Sequence, residues 1–522
     1  MQNQLHSGGT VGRLIIDAIT RFADRPVLAD GHVAWTYREL GRQIGLYMAF
    51  YRSLGLGKGS GIAMVTGNRA EAWASVCAAN ILGMRHTHLH PMAGEDDHAQ
   101  IIDDAKANVL VVDGRRFAAR GQALKARCRS LEHLVSFGPV EGAHDITAAA
   151  ETLEPAELVE ENEPEDTVLL TYTGGTTGRS KGIMLPHRAL VAMTLTIAGE
   201  WEWPSTLRYL AMTPISHSAG IKLYPIMLRG GYARMIDGFD KQTFCEVVEA
   251  ERITATFLVP TIITTLLQDR ALLQRHDLSS LELIIYGAAP MSPDRLREAT
   301  ELFGPVFMQL YGQSEAPECI TTLRRADHDL SRPERLGSCG KPTALCEVKL
   351  LDSELNEVAL GEPGEICVRG PLVMNGYWGL PELTAETFRG GWLHTGDVAR
   401  RDAEGYLYIV DRTKDMIISG GFNIYPREVE DVLASHPAVV SAGVIGVPDP
   451  KWGEAVKAFV TLRDGGSATE AELQAFVKER RGAPWSPKSV EFVTELPLTG
   501  LGKLDRKALR APYWEGQTRA VS

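Results

Sequence analysis

The chain has 522 residues, 44% of them hydrophobic and 23% charged, with 54 Lys and Arg against 66 Asp and Glu for a formal net charge of -12. That length exceeds one ordinary core, so two or more domains are expected, and the composition is that of a globular protein. The acidic excess excludes nucleic acid as the main partner, which needs clustered positive charge, but leaves small phosphorylated ligands open.

Residues Met1 to Gly12 lack a basic stretch followed by an apolar run, so no signal peptide is expected. No apolar run approaches the ~20 residues needed to span a bilayer. The seven cysteines (Cys77, Cys128, Cys245, Cys319, Cys339, Cys346 and Cys367) are scattered, without a Cys-x-x-Cys pair. They point to buried thiols in a reduced, cytoplasmic protein.

In chain order, Gly61 to Val65 reads as a strand, Arg69 to Leu82 as a helix and Val109 to Asp113 as a further strand. The acidic, proline-bearing stretch from Glu151 to Asp166 reads as a surface connection before a strand starting at Thr167. Leu283 to Gly287 is a strand and Ser292 to Leu302 a helix. This alternation predicts α/β layers with largely parallel sheets. Beyond about Gly361 the pattern turns to short strands with Gly turns, Gly364 to Gly370 and Gly405 to Asp411. A compact segment follows, with a helix at Pro426 to Ser435 and strands near Val439 to Val447 and Ala455 to Leu462. The polar run from Asp411 to Asp415 marks a domain boundary.

Four motifs carry chemistry. Thr171-Tyr172-Thr173-Gly174-Gly175-Thr176-Thr177-Gly178-Arg179-Ser180-Lys181-Gly182 follows an apolar strand. Its glycines let backbone N–H groups face phosphate oxygens, and Lys181 adds a charge. An ordinary Gly-rich turn is the alternative, and the spacing is not that of a Walker loop. Gln309-Leu310-Tyr311-Gly312-Gln313-Ser314-Glu315 offers a ring to stack on a base and a carboxylate for a hard cation, or simply a helix cap. Trp392-Leu393-His394-Thr395-Gly396-Asp397 puts an acid in a turn, able to accept two ribose hydroxyls. Near the C-terminus, Leu498-Thr499-Gly500-Leu501-Gly502-Lys503 holds a Gly-flanked lysine that can meet a developing negative charge. A surface lysine is the plain alternative.

Together these motifs, over nearly the whole chain and in the same order, resemble those of the adenylate-forming superfamily. That superfamily contains acyl-CoA synthetases, luciferases and peptide-synthetase adenylation domains, and the similarity is closest to the acyl-CoA synthetases. The resemblance implies an α/β fold with a large multi-subdomain N-terminal domain (1–412), a hinge (413–415) and a small mobile α+β C-terminal domain (416–522). It implies ATP, Mg²⁺ and coenzyme A as cofactors. The phosphate loop would be Thr173, Gly174, Gly175, Thr176, Thr177, Gly178 and Lys181, with Mg²⁺ on Glu315 and Thr176. Gly287, Ala288 and Ala289 would form one adenine wall, and Gln309, Leu310, the stacking Tyr311, Gly312 and Ser314 the other. Asp397 would hold the ribose, with Ile409 and Arg412 at the nucleotide. The C-terminal domain would turn about Lys414. Lys503, Lys181, Glu315 and His217 are the expected catalytic residues, with Lys503 acting in adenylation and His217 gating the acyl pocket. Gly421, Trp452 and Lys488 would line the coenzyme A path.

Some positions depart from the family pattern. Gly174 and Ser180 replace the usual Ser and Pro, Ser314 the commoner Thr, and Phe422 the Glu of many relatives; Pro484-Trp485 replaces a Tyr-Lys pair. The acyl pocket would involve Thr196, Ser216, His217, Gly287, Ala316 and Pro317. Thr196 and Ser216 stand where some relatives are bulkier, which predicts a roomy pocket for a long or polycyclic hydrophobic acid. No acid lies between Thr213 and Lys222, so a substrate ammonium would go unpaired, against a peptide-synthetase role. Only 19 residues follow Lys503, too few for a carrier-protein segment.

The expected activity is therefore acid plus ATP plus CoA to acyl-CoA, AMP and pyrophosphate, by a monomer or homodimer. An acyl-AMP ligase loading a carrier protein is the first alternative, a non-catalytic acyl or nucleotide sensor the second, and a luciferase-like oxygenase a third. His86-Thr87-His88-Leu89-His90 could place histidines on one strand face, but no further ligand nearby completes a zinc site.

Overall fold

Strands that are apolar on both faces must be covered on both, and this requirement builds the larger part of the chain. Gly61–Val65, Val109–Asp113 and Leu283–Gly287 are buried along their whole lengths, each with the bounds expected from sequence. The computed structural model describes residues 9–173, 180–216, 218–289, 291–420, 422–463, 465–498 and 504–515.

The chain divides into two compact units, residues 1–347 with 368–393, and residues 348–367 with 394–522. Among the described residues the first unit holds two large sheets. One is eight-stranded, in the order Gly376–Tyr377, Lys181–Pro186, Thr167–Thr173, Arg85–His88, Gly61–Val65, Val109–Asp113, His133–Phe137 and His144–Asp145. Its interior pairings are parallel, whereas Lys181–Pro186 returns antiparallel on Thr167–Thr173 and Gly376–Tyr377 adds antiparallel at the edge. The other is nine-stranded, with Leu283–Gly287 between Ala255–Leu258 and Phe307–Gln313, and Ala316–Leu323 beyond. Its core joins strand residues such as Ile284 and Tyr286 to Leu296 and Ala299 of helix Pro293–Phe303. The expected helix Arg69 to Leu82 forms over Ala70–Ile81 and is buried on all sides.

The second unit carries the strands Gly364–Arg369, Leu393–Arg401 and Leu407–Arg412 in one sheet. A separate sheet pairs Val439–Asp449 with Gly453–Leu462 over eleven and ten residues and is covered by helices Pro426–Ala434 and Glu470–Arg481. The expected 412/413 boundary falls inside this unit. All seven cysteines are buried thiols, and among the described residues no helix is long and apolar enough to cross a membrane.

Candidate active site

The Gly-rich segment is framed by a hairpin. Thr173 lies directly opposite Lys181, and Tyr172 opposite Gly182, so the two ends of the loop are held together by the ladder. Gly174, Gly175, Thr176, Thr177 and Gly178 lie outside the described residues. Tyr172 Oη donates to Asp104 Oδ2 at 2.6 Å, which anchors the outgoing strand. Burial and that carboxylate together push the phenol well above its ordinary value. Lys181, first residue of the return strand, sits 5.7 Å from the centroid of the Tyr377 ring, a cation–π contact.

Tyr377 links this hairpin to the second motif. Strand Gly376–Tyr377 pairs Tyr377 with Ile183, and Tyr377 Oη donates to Glu315 Oε1 at 2.9 Å. Met374 N donates to Glu315 O at 2.9 Å, fixing the backbone of the same residue. Glu315 occupies the tight turn between Phe307–Gln313 and Ala316–Leu323. Its second carboxylate oxygen is a hard donor of the type Mg²⁺ takes, so the residues present fit the ion. Thr176, its expected companion, is outside the described residues.

The proposed adenine walls are the ends of two adjacent parallel strands. Gly287 pairs with Leu310, and a Cβ at Gly287 would lie 2.5 Å from the Leu310 carbonyl oxygen. A Cβ at Gly312 would meet Glu318 N at the same distance, so both positions require glycine. Ala288 follows in the left-handed region, φ +63°, and is exposed; Ala289 is half-buried beside it. Tyr311 is nearly buried, Ser314 half-buried, and the amide oxygen of Gln309 is buried without a hydrogen-bond partner among the described residues. An orphaned buried amide is what a ligand's polar edge would complete. Behind this wall Tyr286 Oη lies 3.0 Å from His328 Nε2, and His328 Nδ1 lies 2.8 Å from the Arg324 carbonyl oxygen. The imidazole therefore carries its proton on Nδ1, and burial lowers its pKa to about 4.

Of the expected acyl-pocket residues, Thr196 lies buried on helix His187–Glu200 with its hydroxyl donated to Ala192 O at 2.8 Å. Ala316 and Pro317 are buried at the start of their strand, and Ser216 is half-buried; His217 is outside the described residues. The local sequence lacks an acid here, but Glu318 supplies one from Ala316–Leu323, and its Oε2 is 2.5 Å from the buried Lys222 Nζ. Sequence spacing gave no sign of that pair.

The second unit builds its own polar site. Asp397 lies opposite Arg412 in the ladder, with Arg412 Nε 3.2 Å from Asp397 Oδ1. Glu365 on the neighbouring strand clamps the turn before Asp397. Its Oε2 is 2.6 Å from His394 Nδ1, and its Oε1 accepts from Gly396 N at 2.8 Å. Thr395 Oγ1 donates to Ile366 O at 2.7 Å, and Asp397 N donates to Thr395 Oγ1 at 3.1 Å. Glu365, Cys367 and His394 bring three ligand-type atoms within 4.8 Å, yet Glu365 is already spanned between an imidazole and a backbone amide. Its work is to hold the turn. Ile409 faces Ala399 across the same ladder. Lys414 follows in the single turn Thr413–Asp415, where burial lowers its pKa.

Gly420, Trp452 and Lys488 come together in this unit. Gly420 N donates to Trp452 O at 2.8 Å, and a Cβ on Gly420 would lie 2.6 Å from the indole. The half-exposed Trp452 ring has Lys451 Nζ at 4.6 Å and Lys488 Nζ at 5.9 Å. Gly421 and Lys503 are outside the described residues. Of the histidine run, His86 is buried, with its ring edge-on to His88 at 5.0 Å.

A double-sheet α/β unit with a Gly-rich hairpin, followed by a smaller α/β unit, is the arrangement of the AMP-binding enzymes, and the chain belongs to that family. The "AMP-binding enzyme" family matches residues 16–378 and its C-terminal domain residues 428–503. The medium/long-chain-fatty-acid–CoA ligase FadD8 of Mycobacterium tuberculosis is 45% identical, covering 98% of this chain and 91% of its own. A feruloyl-CoA synthase from an Amycolatopsis species is 38% identical over 92% and 95%. Among solved structures, the amide bond synthetase McbA of Marinactinospora thermotolerans superposes with a TM-score of 0.89 at 32% identity, covering 97% of this chain and all of its own. The chain is thus an adenylate-forming enzyme close to the acyl-CoA synthetases, an AMP-forming acid–CoA ligase.

Proposed function

We propose that the chain activates a hydrophobic fatty or aryl carboxylic acid as its acyl-adenylate and passes the acyl group to coenzyme A. The substrate carboxylate oxygen attacks the α-phosphorus of ATP and pyrophosphate leaves. Lys181 and the amides of 173–178 receive phosphate charge, Tyr311 and the Gly287–Ala288 turn flank adenine, and the orphaned Gln309 amide completes its hydrogen bonding there. Asp397, with Arg412 beside it, takes the ribose hydroxyls. Mg²⁺ bound at Glu315 and Thr176 would neutralise phosphate charge. Lys503 serves this first step. The segment after 413–415 then turns about Lys414, and the thiol attacks the acyl carbon as AMP departs. The half-exposed Trp452 between Lys451 and Lys488 suits the adenine and phosphates of coenzyme A, with Gly421 on the path, and supports this acceptor over a carrier protein.

The names of the fatty-acid and feruloyl relatives support a hydrophobic acid, as do the modest side chains Thr196 and Ser216 beside Ala316, Pro317 and His217. A reduced, cytoplasmic setting fits the buried thiols. The observation that carries the reading is the Tyr377 bridge between Glu315 and the Lys181 hairpin. Pyrophosphate release measured on acids from acetate and benzoate to long-chain and polycyclic, with and without CoA, tests it, with acyl-CoA followed by mass spectrometry. Release that requires CoA and yields acyl-CoA from hydrophobic acids is expected. Exchange without acyl-CoA would instead assign a carrier-protein acceptor.

A further inference from the structure

Charged pairs are rarely buried outright, because each ion must shed its water and hydrocarbon of the same volume would serve as well. Lys222 and Glu318 form such a pair. Lys222 is fully buried, with Nζ 2.5 Å from Glu318 Oε2 and 2.5 Å from Ser218 Oγ. The ammonium also lies 3.9 Å from the centroid of Phe257. Glu318 itself sits in the left-handed region, φ +66°, a conformation that is costly for any residue with a side chain.

This pair is placed beside the residues assigned to the acyl pocket. Glu318 directly follows Ala316 and Pro317, and Lys222 is one helical turn beyond Ser218. Two further polar groups there are incomplete. Tyr209 is fully buried on the strand paired with Ala255–Leu258, which carries the Phe257 ring against Lys222, yet its hydroxyl has no hydrogen-bond partner among the described residues. The same holds for the indole N–H of Trp201, whose ring lies 6.0 Å from Lys222 Nζ. A strained backbone, a buried ion pair and two orphaned donors share one apolar neighbourhood, and a ligand oxygen that accepts from Tyr209 or Trp201 and donates to Glu318 would complete it.

We propose that Lys222, Glu318 and Tyr209 form a polar recognition element in the acyl pocket, and that the preferred acid carries a hydroxyl group on its hydrophobic body. Glu318 accepts a hydrogen bond from the hydroxyl, the Tyr209 hydroxyl donates one to its oxygen, and Lys222 holds the Glu318 carboxylate ionised and aimed. This rests on the acid–CoA ligase reading above and narrows its substrate class. A site built to hydrogen-bond a hydroxyl rejects the analogue lacking it far more strongly than an apolar pocket rejects a change in size.

The test compares matched acids on the full-length protein: 4-hydroxycinnamate against cinnamate, and a series of hydroxydecanoates against decanoate, by kcat/KM for acyl-CoA formation. At least one hydroxylated acid should exceed its parent by about tenfold or more. That ratio should fall to within about twofold in the Lys222→Met/Glu318→Gln double variant, where no lone buried charge is left. Tyr209→Phe, which removes one oxygen only, should lower the same ratio and covers the case in which the double variant does not fold. Parent acids turned over as well as every hydroxylated partner would overturn the inference while leaving the ligase reading intact, and so would a preference unchanged in Tyr209→Phe. Absence of pyrophosphate release with every acid would instead sink the ligase reading and this one with it.

Discussion

The Tyr377 hydroxyl, 2.9 Å from Glu315 Oε1, ties the turn that carries the proposed Mg²⁺ ligand Glu315 to the hairpin that carries Lys181. The tie is made by a residue distant in sequence from both motifs, on a strand only two residues long. Burial and the Glu315 charge hold the phenol protonated, so it acts as a donor throughout the working pH range.

Tyr377→Phe should therefore leave the fold in place and weaken adenylation. A hydrogen bond to a charged group is worth about 1.5–3 kcal/mol, so a loss of roughly tenfold to a hundredfold is expected. Pyrophosphate exchange titrated with Mg²⁺ reads it, and the variant should need more Mg²⁺ for half-maximal rate. An unchanged Mg²⁺ requirement would show that Glu315 does not depend on this bond.

Glu365→Ala frees the turn before Asp397 by removing the acceptor of Gly396 N and the partner of His394. AMP affinity, measured by calorimetry, should fall by about tenfold. Glu365→Gln keeps one acceptor for the amide and should recover part of the loss. Equal affinity in all three proteins would remove Glu365 from nucleotide positioning.

Lys503→Ala should lower adenylation by about a hundredfold or more if, as proposed, its charge serves only while the α-phosphate is being displaced. Thiolation of supplied acyl-adenylate should be largely retained. Equal loss in both half-reactions would contradict the rotation about Lys414.

Stability should decline on the acid side. His328 and His187 are buried with pKa lowered to about 4 in each case, chiefly by burial. Their unfolded-state value is about 6.5, so between pH 6.5 and 4 the unfolded chain binds more protons than the folded one. Stability is then full above pH 6.5 and falls as pH drops towards 4, by up to about 3 kcal/mol per histidine. Denaturant unfolding across that range checks it, and His328→Gln should flatten the slope.

Much of the fold was legible because its strands declare themselves. Gly61–Val65 and Leu283–Gly287 are uninterrupted apolar runs ended by turns, and the structure keeps their limits. The motifs holding Lys181, Tyr311, Glu315, Asp397 and Arg412 could be picked out by their residue types and their order along the chain, and the roles proposed for them come from the family resemblance. What surrounds them was not legible. Tyr377 is placed by cross-strand register, Glu365 by pairing between strands distant in sequence, and Lys222 with Glu318 by contact across 96 positions. None of these leaves a periodic trace in the chain. The acid missing between Thr213 and Lys222 shows the limit well, since Glu318 reaches that neighbourhood from another strand.

The strand Gly376–Tyr377 has one more consequence. It pairs along Ile183 and Met184, and without it the open side of Lys181–Pro186 would present unpaired backbone groups at the edge of an eight-stranded sheet. Such edges recruit strands from other molecules. The short segment that delivers the Tyr377 hydroxyl thus also seals the sheet against self-association, so mutations that dislodge it should be recovered in aggregates before their catalytic defect can be measured.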